Sequence, residues 1–112
     1  VVESYSFGRM KISGKVYTSD LIIFPDRINA SWWRKTGHRV YLDDLHGIFD
    51  EEFDVLIVGT GNAGLMKVDE EVIQHAKSEG FDLIIEKTKK AVELFNALFP
   101  QKKTIAAFHL TC

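Results

Sequence analysis

Asp54-Val55-Leu56-Ile57-Val58 runs directly into Gly59-Thr60-Gly61-Asn62-Ala63-Gly64. The first half is a continuous apolar, β-branched run, the pattern of a strand covered on both faces. The second half has the G-x-G-x-x-G spacing that opens a dinucleotide-binding fingerprint. Downstream, Asp69-Glu70-Glu71 opens a helical pattern through Val72, Ile73 and Ala76 that Gly80 closes. Phe81 to Glu86 reads as a second buried strand. Thr88 reads as the cap of a helix carrying Ala91, Val92, Phe95, Leu98 and Phe99, ended by Pro100, and Lys103 to Leu110 as a third strand. The order β-α-β-α-β calls for right-handed crossovers and a parallel sheet.

Upstream the periodicity changes. Phe7, Met10 and Ile12 lead to the turn pair Ser13-Gly14, after which Val16-Tyr17 and Leu21 to Phe24 resume as strands. Pro25-Asp26 stops that run. Ile28, Ala30 and Trp32 then alternate with Asn29, Ser31 and Trp33, the period of a half-buried strand. Asp43 reads as an N-cap for a short helical face of Leu45, Ile48 and Phe49, and Asp50-Glu51-Glu52 as a solvated loop. The expected fold is therefore α/β: a three-layer single domain spanning residues 1–112, with a C-terminal β-α-β-α-β parallel sheet unit and an N-terminal antiparallel β-hairpin layer.

At 112 residues, 46% hydrophobic and 27% charged, the chain suits one folded domain with its own core. A net charge of −2 gives no footprint for duplex nucleic acid. Apolar runs fall far short of the about 20 residues that span a bilayer. The first residues, Val1 to Tyr5, show no basic-then-apolar leader, and the one cysteine, Cys112, permits no intrachain disulfide. These features predict a cytoplasmic protein.

The glycine loop meets the dinucleotide pattern only in part. Glu86 stands about 20 positions on, where an acidic group would take ribose hydroxyls. The helix, however, starts several residues late, behind Leu65-Met66-Lys67-Val68, and its first turn carries three carboxylates that would repel a pyrophosphate. A tight turn requiring positive φ at Gly59 and Gly61 is the plainer reading of these glycines. A pocket for a small anion or carbonyl group remains, because ligands favour the carboxyl ends of parallel strands. Its candidate ligand-binding residues are Gly59, Thr60, Gly61, Asn62, Lys67 and His38; no cofactor is expected.

The second informative stretch is Ser31-Trp32-Trp33-Arg34-Lys35-Thr36-Gly37-His38-Arg39, which holds both tryptophans. Neighbouring residues on a strand face opposite ways. Trp32, in phase with Ile28 and Ala30, is expected in the core. Trp33 with Arg34 is the candidate partner-binding pair, since Trp and Arg dominate interface hot spots. Single-stranded nucleic acid is the weaker alternative, given the negative net charge. His38, His46, His75 and His109 have no metal-ligand spacing, so no metal site is expected. His109 and Cys112 stand close together at the end of the last strand, but two ligands are too few. No nucleophile elbow, Walker loop or cysteine pair is present, and no general acid or base can be assigned.

Phe7-Gly8, Tyr17-Thr18-x-Asp20, Trp32-Trp33-Arg34-x-x-Gly37-His38, Gly59-Thr60-Gly61 and His109-Leu110-Thr111-Cys112 together resemble a small family of α/β domains. Its eukaryotic relatives include a mitochondrial assembly factor for respiratory complex I and an adipogenesis-associated protein. The resemblance covers essentially the whole chain and is nearest to the short prokaryotic members. It implies a compact three-layer domain whose glycine loop is not a dinucleotide site, and it brings no catalytic residues. The functional expectation is a protein-interaction or assembly module. The alternative is a small-ligand or enzyme domain with its pocket at the Gly59–Gly64 loop.

Overall fold

The apolar run forms the strand at the heart of the molecule. In a computed structural model describing residues 1–112, β7 (Val55–Thr60) is buried along its whole length. The strands in chain order are β1 (Val2–Ser6), β2 (Arg9–Ile12), β3 (Lys15–Tyr17), β4 (Leu21–Ile23), β5 (Ile28–Asn29), β6 (Arg39–Val40), β7, β8 (Lys67–Val68), β9 (Asp82–Glu86) and β10 (Thr104–His109). The helices are α1 (Glu70–Glu79) and α2 (Thr88–Leu98), with a 3-10 turn at Leu42–Leu45. No helix is long and apolar enough to cross a membrane.

The main sheet has the order β5-β4-β10-β7-β9. β9, β7 and β10 are parallel, as the alternation of strand and helix requires. The strand period of two divides the core between the faces. Val55, Ile57, Ala106 and Phe108 pack beneath α2 and the β1-β2-β3 sheet, with Ala91, Val92, Phe95, Met10 and Ile12. Leu56, Val58, Ile105 and Ala107 pack against Val72 of α1 and against Trp32, Val40, Leu45 and Ile48 from the irregular middle of the chain. The outcome is one mixed α/β domain of three layers, with helices and small sheets on both sides of the central sheet.

Several expectations need correction. The N-terminal antiparallel layer is smaller than expected, because β4 and β5 leave it to extend the central sheet beside β10. The strand expected through Trp33 ends at Asn29, whose side-chain oxygen accepts the Ser31 amide at 3.0 Å and turns the chain out of the ladder. Asp43 does not cap a helix. Asp44 instead accepts from the Tyr41 amide at 2.7 Å, and only a 3-10 turn follows. Thr88 begins α2 without capping it, because its hydroxyl is engaged elsewhere.

Asp69 does cap α1, accepting from Glu71 N, and Gly80 closes the helix in the left-handed region. The late start of α1 has a structural cause. Residues 67–69 first pair with the middle segment: Lys67 N donates to His38 O at 2.8 Å and Asp69 N to Val40 O at 2.9 Å. The acidic first turn holds the same segment, through an ion pair of Asp69 with Arg39 at 3.0 Å and a bond from Leu42 N to Glu71.

Candidate functional site

The parallel strands end where three sequence segments converge: the glycine loop, the Trp-Arg-Gly-His segment and the closing residues 109–112. Register explains the first contact. β4 runs antiparallel to β10 with Leu21 opposite Phe108, so the next step sets Asp20 beside His109. Asp20 Oδ2 lies 2.7 Å from His109 Nδ1, and Asp20 Oδ1 accepts the Leu110 amide at 2.7 Å. Arg34 reaches in from the middle segment, its Nη2 at 2.9 Å from Asp20 Oδ2. Nη2 also donates to Gly37 O at 3.2 Å, tying the Arg34–Gly37 turn to itself. Trp32 forms one wall, with its ring 4.5 Å from the guanidinium carbon and its Nε1 donating to Asp44 O.

Burial sets the electrostatics. The side chains of Arg34, His109 and Asp20 are 5%, 7% and 17% exposed. Burial by itself pushes the Asp20 carboxyl up. The bonds from His109, the Leu110 amide and Arg34 together outweigh it and hold Asp20 below the usual carboxylate range. An ionised carboxylate only accepts, so the proton between Asp20 and His109 belongs to Nδ1. The 3.3 Å approach of Arg34 Nη2 to Nδ1 is then two donors sharing one carboxylate. Tyr5 closes the floor with its hydroxyl on Leu110 O at 2.9 Å, and burial followed by the charge of Asp20 pushes that phenol up.

Three nitrogens in this cluster have no partner although they are buried: Arg34 Nε, Arg34 Nη1 and His109 Nε2. The two Arg34 nitrogens are donors, while Nε2 of a ring whose proton sits on Nδ1 is an acceptor. A buried polar group left unpaired is rare and costs about 1–3 kcal/mol, more when charged. Cys112 does not pair with His109, since Nε2 has no hydrogen-bond partner at all.

The glycine loop forms the neighbouring wall. Gly61 has φ +105, and a Cβ there would collide with the Cys112 carbonyl carbon and stand 2.9 Å from His109 Cδ2. Gly59 does not have positive φ, contrary to the turn expected there. It is glycine because a Cβ would lie 2.8 Å from the Phe108 ring and 2.9 Å from Thr88 Oγ1. Thr88 Oγ1 accepts from Gly61 N at 2.8 Å and donates to His109 O at 2.6 Å, fastening the loop to β10. The loop amides are engaged within the chain: Asn62 N with Thr111 O, Leu65 N with Cys112 O, and Met66 N with Thr60 O. Thr60 is buried and its hydroxyl bonds to Glu86 O, whereas Asn62 and Lys67 are exposed.

Of the candidate residues, Gly61, His38 and Arg34 surround His109, with the exposed His38 ring edge-on at 6.3 Å from it. Lys67 stands opposite Arg39 in the β6-β8 pairing, and its amide bonds to His38 O. Trp33 and Arg34 part company: Trp33 is 76% exposed, while the Arg34 side chain turns inward. Asp20 received no role from the sequence, and His109 was considered only alongside Cys112. The signal for both was their place at adjoining strand ends, which needs the β4-β10 register.

Solved structures share this fold. A conserved hypothetical protein from Pyrococcus horikoshii is 31% identical, covers 100% of this chain and 99% of its own, and superposes with a TM-score of 0.85. An outer membrane protein from Bartonella henselae gives a TM-score of 0.83 at 19% identity, over 99% of this chain and 94% of its own. A Mth938-like domain from Bordetella pertussis gives 0.68 at 15% identity, over 97% of this chain and 84% of its own. Residues 2–110 match the family described as a protein of unknown function, DUF498/DUF598, and the chain belongs to that family.

Proposed function

We propose that this domain binds a small anionic ligand at the ends of β7 and β10, with Arg34 and His109 as the recognising groups. The glycine loop serves as the wall of this site, and Gly61 is the residue of the loop nearest to it. The observation that carries the reading is the side chain of Arg34, 5% exposed, with Nε and Nη1 unpartnered beside an unpartnered His109 Nε2. A charged donor is a costly thing to bury incompletely, and an oxyanion is the partner that suits it. The surface grooves of about 570 Å³ and 530 Å³ lie elsewhere and include neither residue, and the exposed residues 35–38 follow Arg34 in the chain. The test is thermal unfolding of the parent and Arg34→Met with acetate, phosphate and sulfate. A ligand that binds the folded state raises the parent's melting temperature by mass action and leaves the variant unmoved. No rise with any anion, or equal rises in both proteins, sinks the reading.

Trp33 favours a second reading, that of an interaction or assembly module. A tryptophan with 76% of its surface in water is a ready anchor for a protein partner. The resemblance to relatives that include a respiratory-complex assembly factor supports it, and the lone thiol of Cys112 is consistent with a reducing, cytoplasmic setting. Trp33→Ala that captures the same proteins as the parent, in the same amounts, would count against this surface.

A further inference from the structure

The cluster contains one positive and one negative group, Arg34 and Asp20, paired at 2.9 Å. With a neutral His109 ring its net charge is zero. An anion added at the three unpartnered nitrogens would leave one uncompensated negative charge where the side chains of Arg34 and His109 are 5% and 7% exposed. Isolated charge in such a place is strongly disfavoured. The remedy lies within the site. His109 Nδ1 already holds its proton against Asp20, so Nε2 is the ring position left to take another. A proton there cancels the added charge and turns Nε2 into a third donor facing the ligand.

We propose that the site takes up a compact monoanion of the carboxylate class together with one proton, which resides on His109 Nε2. This rests on the anion-site reading above and adds to it a ligand charge and a proton count. Selectivity follows from the charge balance. One proton neutralises a carboxylate but leaves sulfate, a dianion, with a net charge in the interior. The planar Arg34 guanidinium suits the planar carboxylate in the same way.

The other groups facing His109 do not take its place. Asp20 is held ionised by its three bonds, and Arg34 stays charged. Tyr5 keeps its phenolic proton, because burial and the charge of Asp20 both oppose losing it. His38 stands edge-on at 6.3 Å, is exposed, and serves as the control. The Cys112 backbone and the His109 ring both border Gly61, and the Lys87 side chain lies over Gly64 beyond it.

The experiment is an NMR titration of the unmodified protein with acetate and with sulfate, following the imidazole nitrogens of His109 at a pH where the free ring is neutral. Acetate is expected to convert His109 to the doubly protonated form while His38 is unchanged, and the acetate Kd to rise about tenfold per pH unit above that point. Sulfate is expected not to bind there. Acetate binding that leaves His109 singly protonated, with a Kd indifferent to pH, overturns the proton count while the anion site stands. Sulfate binding as tightly as acetate overturns the charge argument. Failure of both ions to perturb Arg34 or His109 at tens of millimolar removes the anion site itself. In His38→Gln the acetate Kd is expected to keep its dependence on pH, and loss of that dependence would transfer the proton to His38 and overturn the assignment.

Discussion

Replacing Asp20 with alanine removes the acceptor of three bonds at once: Leu110 N at 2.7 Å, His109 Nδ1 at 2.7 Å and Arg34 Nη2 at 2.9 Å. What remains is a guanidinium 5% exposed with no counter-charge. Breaking a buried pair by deleting one partner costs about 3–5 kcal/mol. Asp20 keeps 17% of its side-chain surface in water, which places the loss near the lower bound, about 3 kcal/mol. In a domain of this size each kcal/mol moves the melting temperature by about 4–8 °C, so a fall of roughly 12–24 °C is expected. Asp20→Asn separates the terms, because its amide oxygen still serves the Leu110 amide while the ion pair is lost, and it should fall between parent and alanine. Adding Arg34→Met to Asp20→Ala should return part of the stability, since the orphaned charge leaves with it. Urea unfolding followed by circular dichroism measures these four proteins and Arg34→Met alone, the fifth protein that the coupling energy requires. Asp20→Ala within about 1 kcal/mol of the parent, or a double variant showing no coupling, would refute the claim that a buried ion pair organises these strand ends.

Other outcomes follow from the same geometry. Asp20 has a folded pKa below its unfolded value, so it stabilises the fold above the unfolded value and loses that contribution as pH falls through the folded one. The parent's acid-limb slope should therefore shrink in Asp20→Asn, and an unchanged slope would contradict it. Gly61→Ala places a methyl against the Cys112 backbone at φ +105 and should cost well over 2 kcal/mol. Gly80→Ala, with open space around it, should cost only about 1 kcal/mol, and equal melting temperatures for the two glycine variants would show that the 111–112 packing is wrong. Thr88→Val strands the Gly61 amide and the His109 carbonyl inside the protein, for a loss of about 2–3 kcal/mol by urea unfolding. Trp32→Ala should destabilise by about 3–5 kcal/mol, whereas exposed Trp33→Ala should stay within about 0.5 kcal/mol of the parent.

Most of the second half of the chain was legible because its elements were locally marked, although the strand expected to be buried at Phe81 to Glu86 is β9 at the sheet edge, with Asp82, Ile85 and Glu86 exposed. The apolar run at Val55–Val58, the Asp69 cap and Gly80 each carry their own signal, and each stands where that signal puts it. The middle was misread because its alternation, from Ile28 to Trp33, survives in a segment that Asn29 turns out of the sheet. Trp32 is buried as expected, but through the Asp44 carbonyl and the Arg34 stack rather than through a strand face. The glycine loop looked like a phosphate cradle, and its amides are engaged with Thr111, Cys112 and Thr60 instead. The pairing of Asp20 with His109 escaped notice because the two are far apart in sequence and meet only through the β4-β10 register, which no local pattern encodes. Arg34 was singled out for an exposed role because nothing local distinguishes an arginine turned inward from one turned outward.

The proposed site requires that Arg34 Nε and Nη1, together with His109 Nε2 once protonated, hold a small carboxylate. Diffraction from crystals grown in acetate tests it most directly. A carboxylate is expected within hydrogen-bond distance of Arg34 and of His109 Nε2, with the Asp20–His109 bond intact. Water alone at those three nitrogens, or another side chain of the protein satisfying them, would contradict it.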